Sequence, residues 1–129
     1  MNVLNARQML LIFLLLPTAG IALSVFDGRR PCSAAEREAY DVQLRQQLYS
    51  SWHVPRENQS YSCSLIIAQN FRGEVLNVGV EKCSEENLAI RKSVEDAAYR
   101  ASPLPLPENR ACFSRTLKIW LTHRAQGEQ

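Results

Sequence analysis

Four cysteines and two histidines are the side chains of this 129-residue chain best equipped for covalent or proton-transfer chemistry. Cys32, Cys63, Cys83 and Cys112 form no Cys-x-x-Cys pair, and none stands beside a histidine at metal-ligand spacing. Disulfide formation is the chemistry left to them, and it requires an oxidising compartment. All four follow a single apolar segment, so the even count reads as two disulfides in an exported domain. The rival reading is four reduced, buried thiols in a cytosolic protein. His53, between Trp52 and Val54, and His123 fall in different segments. General acid–base work needs a positioned partner, so both are expected in structural or surface roles. No Gly-x-Ser-x-Gly, His-Glu-x-x-His, P-loop or paired-carboxylate motif occurs. Asp41, Glu95 and Asp96 read as solvation of helical faces, and Asn58-Gln59-Ser60 matches the glycosylation sequon, a pattern too short to carry a function. No catalytic residue, metal or cofactor is expected.

The elements that carry these residues begin with Arg7 and the run Met9 to Leu16, followed by Pro17-Thr18-Ala19-Gly20-Ile21-Ala22. A positive start, a short apolar stretch, a breaker and small residues are signal-peptide anatomy, with cleavage expected after Ala22. The uncharged stretch from Gln8 to Phe26 is also just long enough to span a hydrocarbon core, so an uncleaved anchor stays open. Residues 1–26 are therefore a signal peptide or signal anchor, and 27–32 a short linker. Cys32 is no lipid acceptor, because Gly28-Arg29-Arg30-Pro31 before it contains no apolar lipobox. With 15 Lys and Arg against 13 Asp and Glu, nothing points to nucleic acid or to anionic lipid as a partner.

Ser33-Ala34-Ala35-Glu36 has the spacing of a capping box and should open a helix. Its apolar stripe is Tyr40, Leu44, Leu48 and Trp52, and Pro55 ends it. Tyr61 to Ala68 and Val75 to Glu81 read as a β-hairpin around Asn70-Phe71-Arg72-Gly73, with Leu76, Val78 and Val80 sharing one face. After a helix start at Ser84 to Asn87, Ile90, Val94, Ala97, Ala98 and Ala101 recur at helical spacing until Pro103. Ser102 to Pro107 should be a stiff extended connector. Phe113, Leu117, Ile119 and Leu121 alternate with polar residues, which predicts a half-buried strand over Ala111 to His123. Residues 125–129 are a polar tail expected to be disordered.

The order helix, strand, strand, helix, strand predicts an α+β fold over 33–124: a three-stranded antiparallel sheet with two helices on one face, preceded by the N-terminal hydrophobic helix. A right-handed crossover puts the last strand beside the first. Cys63 near the start of the first strand then faces Cys83 at the end of the second, and Cys32 is left to Cys112.

Several pieces in order carry a family resemblance. They are Tyr40 through Trp52-His53-Val54-Pro55; Cys63-Ser64-Leu65-Ile66-Ile67; Phe71-Arg72-Gly73-Glu74-Val75 through Val80; and Ala97-Ala98-Tyr99-Arg100-Ala101-Ser102-Pro103 through Pro107. Over roughly residues 36 to 121 the chain resembles the C-terminal domain of TolA and, more distantly, that of TonB. The resemblance implies a non-catalytic domain that binds other proteins in the periplasm, chiefly Tol-Pal components such as TolB or Pal, and that colicins and filamentous phage exploit. TolA domains often join a cysteine of the first strand to one in the following helix; Cys63 fits the first place, whereas Cys83 falls before the second. Two features depart from the family. The linker reaches only about 20 Å at about 3.5 Å per residue, too short to cross the periplasm. The apolar segment also lacks an ionisable group for coupling to a proton-driven partner. Energy transduction is not expected.

The expected function is thus a periplasmic protein-interaction module. It would pair a sheet edge with an extended partner segment, and Val75, Asn77, Arg115, Leu117 and Ile119 would line the edges. The competing class is a secreted inhibitor or effector of an envelope enzyme with Pro103 to Pro107 as its wedge. A small hydrolase would need His53 or His123 beside an acid and a nucleophile in a cleft.

Overall fold

The structure is a computed structural model that describes residues 30–127. The expected signal peptide or anchor lies outside the described residues, as do the first half of the linker and the last two residues of the tail. Among the described residues no helix is long and apolar enough to cross a membrane.

Helix α1 spans Ala34–Ser50. Ser33 and Glu36 form the capping box expected of them: the Ser33 hydroxyl accepts from the Glu36 N–H, and the Glu36 carboxylate accepts from the Ser33 N–H, each at 3.1 Å. Tyr40, Leu44 and Leu48 are buried on one side of it, and Trp52, just past its end, is buried as well. The hairpin follows as β1 (Tyr61–Gln69) and β2 (Val75–Cys83). Its turn closes with the Gly73 N–H donating to the Asn70 carbonyl and the Asn70 N–H to the Glu74 carbonyl, both at 3.0 Å. Gly73 takes φ +82°, the left-handed conformation that ends a three-residue hairpin loop. Helix α2 (Leu88–Arg100) starts at Asn87, whose side chain accepts from the Ala89 and Ile90 N–H groups. It buries Ile90, Val94, Ala97 and Ala98.

The last strand is shorter than the alternation predicts. β3 covers Thr116–His123, and Arg110–Cys112 is a single 3-10 turn capped by the Asn109 side chain. Sheet order is β2-β1-β3, with both pairings antiparallel. The core lies between the sheet and the helices. Tyr61, Cys63, Leu65 and Ile67 of β1 and Leu117, Ile119 and Leu121 of β3 meet the buried residues of α1 and α2 there.

Two β-bulges interrupt β2. Ala68 pairs with Asn77 and Gln69 with Val75, which leaves Leu76 extra; Ser64 pairs with Lys82 and Leu65 with Val80, which leaves Glu81 extra. A bulge resets which face each residue points to, so the inward residues are Val75, Val78, Val80 and Cys83 rather than a strict alternation. Leu76, expected beside Val78 and Val80, is instead 58% exposed.

Disulfides join Cys63 to Cys83 and Cys32 to Cys112. The first staples β1 to β2 at directly paired positions. The second ties the residue before the α1 cap to the 3-10 turn that leads into β3.

Candidate functional site

A three-stranded sheet in this order has two edges, one on β2 and one on β3, and the backbone groups on each must find partners or face water. In antiparallel pairs, residues alternate between bonding their neighbour strand and pointing away from it. The Gln69 N–H donates to the Arg115 carbonyl at 2.9 Å, and the Ser84 N–H to the Ser62 carbonyl at 2.8 Å. Odd-numbered residues of β1 therefore bond β3, and even-numbered ones bond β2. On β3 the outward groups belong to Thr116, Lys118, Trp120 and Thr122; on β2 they belong to Val75, Val78 and Val80.

Part of each edge is taken by the protein itself. On β2, the Val75 N–H donates to the Ser102 hydroxyl at 3.0 Å, and the Val80 carbonyl accepts from the Arg91 guanidinium at 2.7 Å. Between them, Val78 is only 9% exposed as a whole residue, so the middle of this edge is closed to a second chain. On β3, Ser114 serves both backbone groups of Thr116: its hydroxyl donates to the Thr116 carbonyl and accepts from the Thr116 N–H. From α1, Arg45 donates to the Trp120 carbonyl at 3.3 Å, and the Tyr49 hydroxyl accepts from the Thr122 N–H at 2.9 Å. The Lys118 N–H and carbonyl, the Trp120 N–H and the Thr122 carbonyl remain outward, on residues that are exposed, Trp120 by 45%.

The side chains around this stretch are amphipathic. Trp120 lies opposite Ser64 and Lys118 opposite Ile66 on the face away from the helices. Lys118 reaches across β1 to Glu81 at 3.0 Å, and the Ser62 and Thr122 hydroxyls bond at 2.9 Å.

Of the five residues expected to line the edges, Val75 alone carries outward backbone groups. Leu117 and Ile119 bury their side chains in the core and direct their backbone groups to β1. The Arg115 carbonyl is likewise used by β1. Asn77 pairs with Ala68, and the Val75 N–H is held by Ser102. The outward groups of β3 sit instead on Thr116, Lys118, Trp120 and Thr122. That distinction depends on register against β1, which alternation alone does not carry.

Other candidates in the sequence form no site. His53 is exposed. His123 bonds the Glu57 carbonyl through Nε2 at 3.0 Å, and its ring lies 5.5 Å from that of Tyr61; neither histidine meets an acid and a nucleophile. Among the described residues no group of three or more His, Cys, Asp or Glu is placed to hold a metal ion. The Pro103 to Pro107 segment is not a projecting wedge. The Gln47 amide donates to the Ala101 and Pro103 carbonyls, the Leu104 N–H donates to the Gly73 carbonyl at 2.7 Å, and Leu104 is buried.

Comparison with known proteins agrees with this architecture. The solution structure of the third domain of TolA bound to a peptide derived from the N-terminus of TolB superposes with a TM-score of 0.56 at 17% identity, covering 68% of this chain and 75% of that one. The TonB C-terminal domain of Helicobacter pylori superposes with a TM-score of 0.53 at 17% identity, covering 69% and 97%. At that identity the likeness is one of fold. No curated protein sequence matches. The family model for the TonB C terminus matches residues 37–119, a span that takes in α1 from its first turn, the hairpin, α2 and the first half of β3. Domains of this family mediate protein–protein interaction in the cell envelope, and the chain belongs to the TonB C-terminal family.

Proposed function

We propose that this protein is a non-enzymatic interaction module of the periplasm that accepts an extended segment of a partner protein as a fourth strand on β3. The observation that carries the reading is the gap in the β3 edge. Thr116, the Trp120 carbonyl and the Thr122 N–H are capped by Ser114, Arg45 and Tyr49, while the backbone of Lys118 and the Trp120 N–H stay open. Main-chain pairing there supplies affinity, and side chains beside it supply selectivity. The buried Val78 makes β2 the poorer edge.

The N-terminal segment of TolB is the first partner to try, because a TolA domain of the same fold is solved with such a peptide. Pal and other envelope proteins, and the colicin or phage proteins that exploit this fold class, are the remaining candidates. The domain binds without transducing energy, whether it is freed by cleavage near Ala22 or held in the inner membrane by its N-terminal segment.

A proline at 118 tests this directly. Proline removes an N–H that points away from β1, a place where edge strands tolerate it, so the β1–β3 ladder survives. Lys118→Ala is the control, since it also removes the exposed Glu81 ion pair, which is worth about 0–1 kcal/mol. Binding of a synthetic TolB N-terminal peptide from the same bacterium should be unchanged within about twofold in Lys118→Ala, but about tenfold weaker in Lys118→Pro, as expected for one or two lost backbone hydrogen bonds. Equal binding by a folded Lys118→Pro protein would remove strand addition on β3 from consideration.

A further inference from the structure

Phe71 stands at the tip of the hairpin turn with 70% of its surface in water. Its ring lies 5.6 Å from that of Phe113 at an interplanar angle of 32°, and the Arg115 guanidinium sits 5.2 Å above it. Phe71, Phe113, Leu106, Pro107, Glu108 and Arg110 enclose a groove of about 300 Å³, at the small end of the range for ligand pockets. Aromatic rings beside arginine make the composition that dominates binding energy at protein interfaces.

The charges around the groove are unbalanced. Arg72 pairs with Glu74 at 2.7 Å, and Asn70 and Arg72 hold the Glu74 carboxyl below its usual range. Arg110 and Arg115 have no carboxylate within ion-pair distance among the described residues, and Glu108 is the one acid lining the groove. Two uncompensated arginines against one glutamate leave the site positive.

Position links the groove to the open edge. Phe113 and Arg115 immediately precede β3, and at about 3.3 Å per residue an extended chain covers the distance from Lys118 to Phe113 in roughly five residues. We propose that the groove between the hairpin turn and the chain entering β3 receives one apolar side chain, followed by a carboxylate, from the same partner segment that pairs with β3. The apolar side chain packs on Phe71 and Phe113, and the carboxylate meets Arg115 and Arg110. The inference rests on the strand-addition reading and assigns the partner's chemistry: an extended peptide with an aromatic or aliphatic residue next to Asp or Glu. A lipid surface is the poorer occupant, because the groove is concave and takes in a single side chain rather than offering a row of them.

The test is an amide-shift titration of the 15N-labelled, fully oxidised full-length protein in detergent-containing buffer. Two blocked octapeptides are used, each a Thr-Ser repeat carrying Phe-Asp at its N-terminal or its C-terminal end, so that either strand direction offers the pair to the groove. One of them should shift Phe71, Phe113 and Arg115 together with Lys118 and Trp120. Replacing its Asp by Lys, or Arg115→Glu in the protein, should raise Kd at least about tenfold, the scale of a lost charge pair at an interface. Phe71→Ala, at a solvent-exposed turn position that leaves the fold intact, should weaken binding to a similar degree.

Shifts at Lys118 and Trp120 with Phe71 and Phe113 silent, or a Kd indifferent to Asp→Lys, would overturn the groove and leave strand addition standing. Groove shifts with a silent edge would keep the groove and sink strand addition. No shift at either place at millimolar peptide would overturn both. Shifts of the groove amides on phosphatidylglycerol vesicles but not on the peptides would overturn the assignment to a protein segment.

Discussion

Gly73 and Tyr40 show how single residues hold the hairpin-turn end of the domain in place. Gly73 sits at φ +82°, and a Cβ there would collide with the Leu104 carbonyl oxygen; the same glycine accepts the Leu104 N–H through its own carbonyl. Gly73→Ala should therefore destabilise the protein by about 1–3 kcal/mol from backbone strain alone, read as a lower urea midpoint, with the Pro103 to Pro107 segment loosened from the turn. Tyr40 acts on a different variable. Burial raises its phenol above the ordinary value of 10.0, although the hydrogen bond from Gln69 pulls the other way. The unfolded chain therefore releases this proton at lower pH than the folded one. Its contribution is whole below pH 10 and is lost as pH rises from there through the folded value, with Tyr61, also raised by burial, adding in the same direction. Tyr40→Phe should flatten the alkaline fall in stability measured by urea titration above pH 10, at a cost of about 1 kcal/mol at neutral pH from the lost hydrogen bond. The glycine is readable in the sequence as a turn residue. The buried Gln69 is not: its amide donates to the Tyr40 hydroxyl and the Ser114 carbonyl, partners 29 and 45 positions away that only the folded chain brings together.

Among the elements, those with a single undisturbed period are legible in advance. α1 and α2 announce themselves by apolar stripes and by Ser33 and Asn87 at their starts, β1 by its β-branched and aromatic residues before a turn, and β3 by alternation. β2 is where reading by period fails, because bulges at Leu76 and Glu81 shift its inward set to Val75, Val78, Val80 and Cys83. A bulge is a property of the pairing with β1 and leaves no mark in the composition of β2. The stretch before β3 fails for a related reason, since Asn109 caps a 3-10 turn where Phe113 seems to continue the alternation. The disulfides act between elements, and their costs of removal should differ. Cys32–Cys112 closes a separation of 80 residues and Cys63–Cys83 one of 20, which the chain-entropy model converts to about 4–5 and about 3 kcal/mol. Urea unfolding of Cys32→Ala/Cys112→Ala should therefore show the larger loss, with the α1 start detached from the turn before β3, whereas Cys63→Ala/Cys83→Ala retains a hairpin already paired along its length. The reverse order would mean that the strands, not the α1 end, depend on covalent closure.

At the scale of the molecule, the helices cover one face of the sheet and cap part of each edge. α2 and Ser102 cap groups of β2, α1 and Ser114 cap groups of β3, and the open backbone of β3 centres on Lys118 and Trp120, near a positive aromatic groove. Leu117 and Ile119 are the edge residues expected from the sequence, yet the open backbone lies one position over, on Lys118 and Trp120. Register decides such a difference, and register is a relation between strands. The measurement that bears most directly on the central claim is amide hydrogen exchange at Lys118 and Trp120, with and without the bound TolB N-terminal peptide. Strand addition predicts fast exchange at both amides in the free protein, as for outward groups on exposed residues, and strong slowing at both in the complex, while Val78 on the opposite edge is unaffected. Full occupancy of the peptide with exchange at Lys118 and Trp120 unchanged would contradict the account.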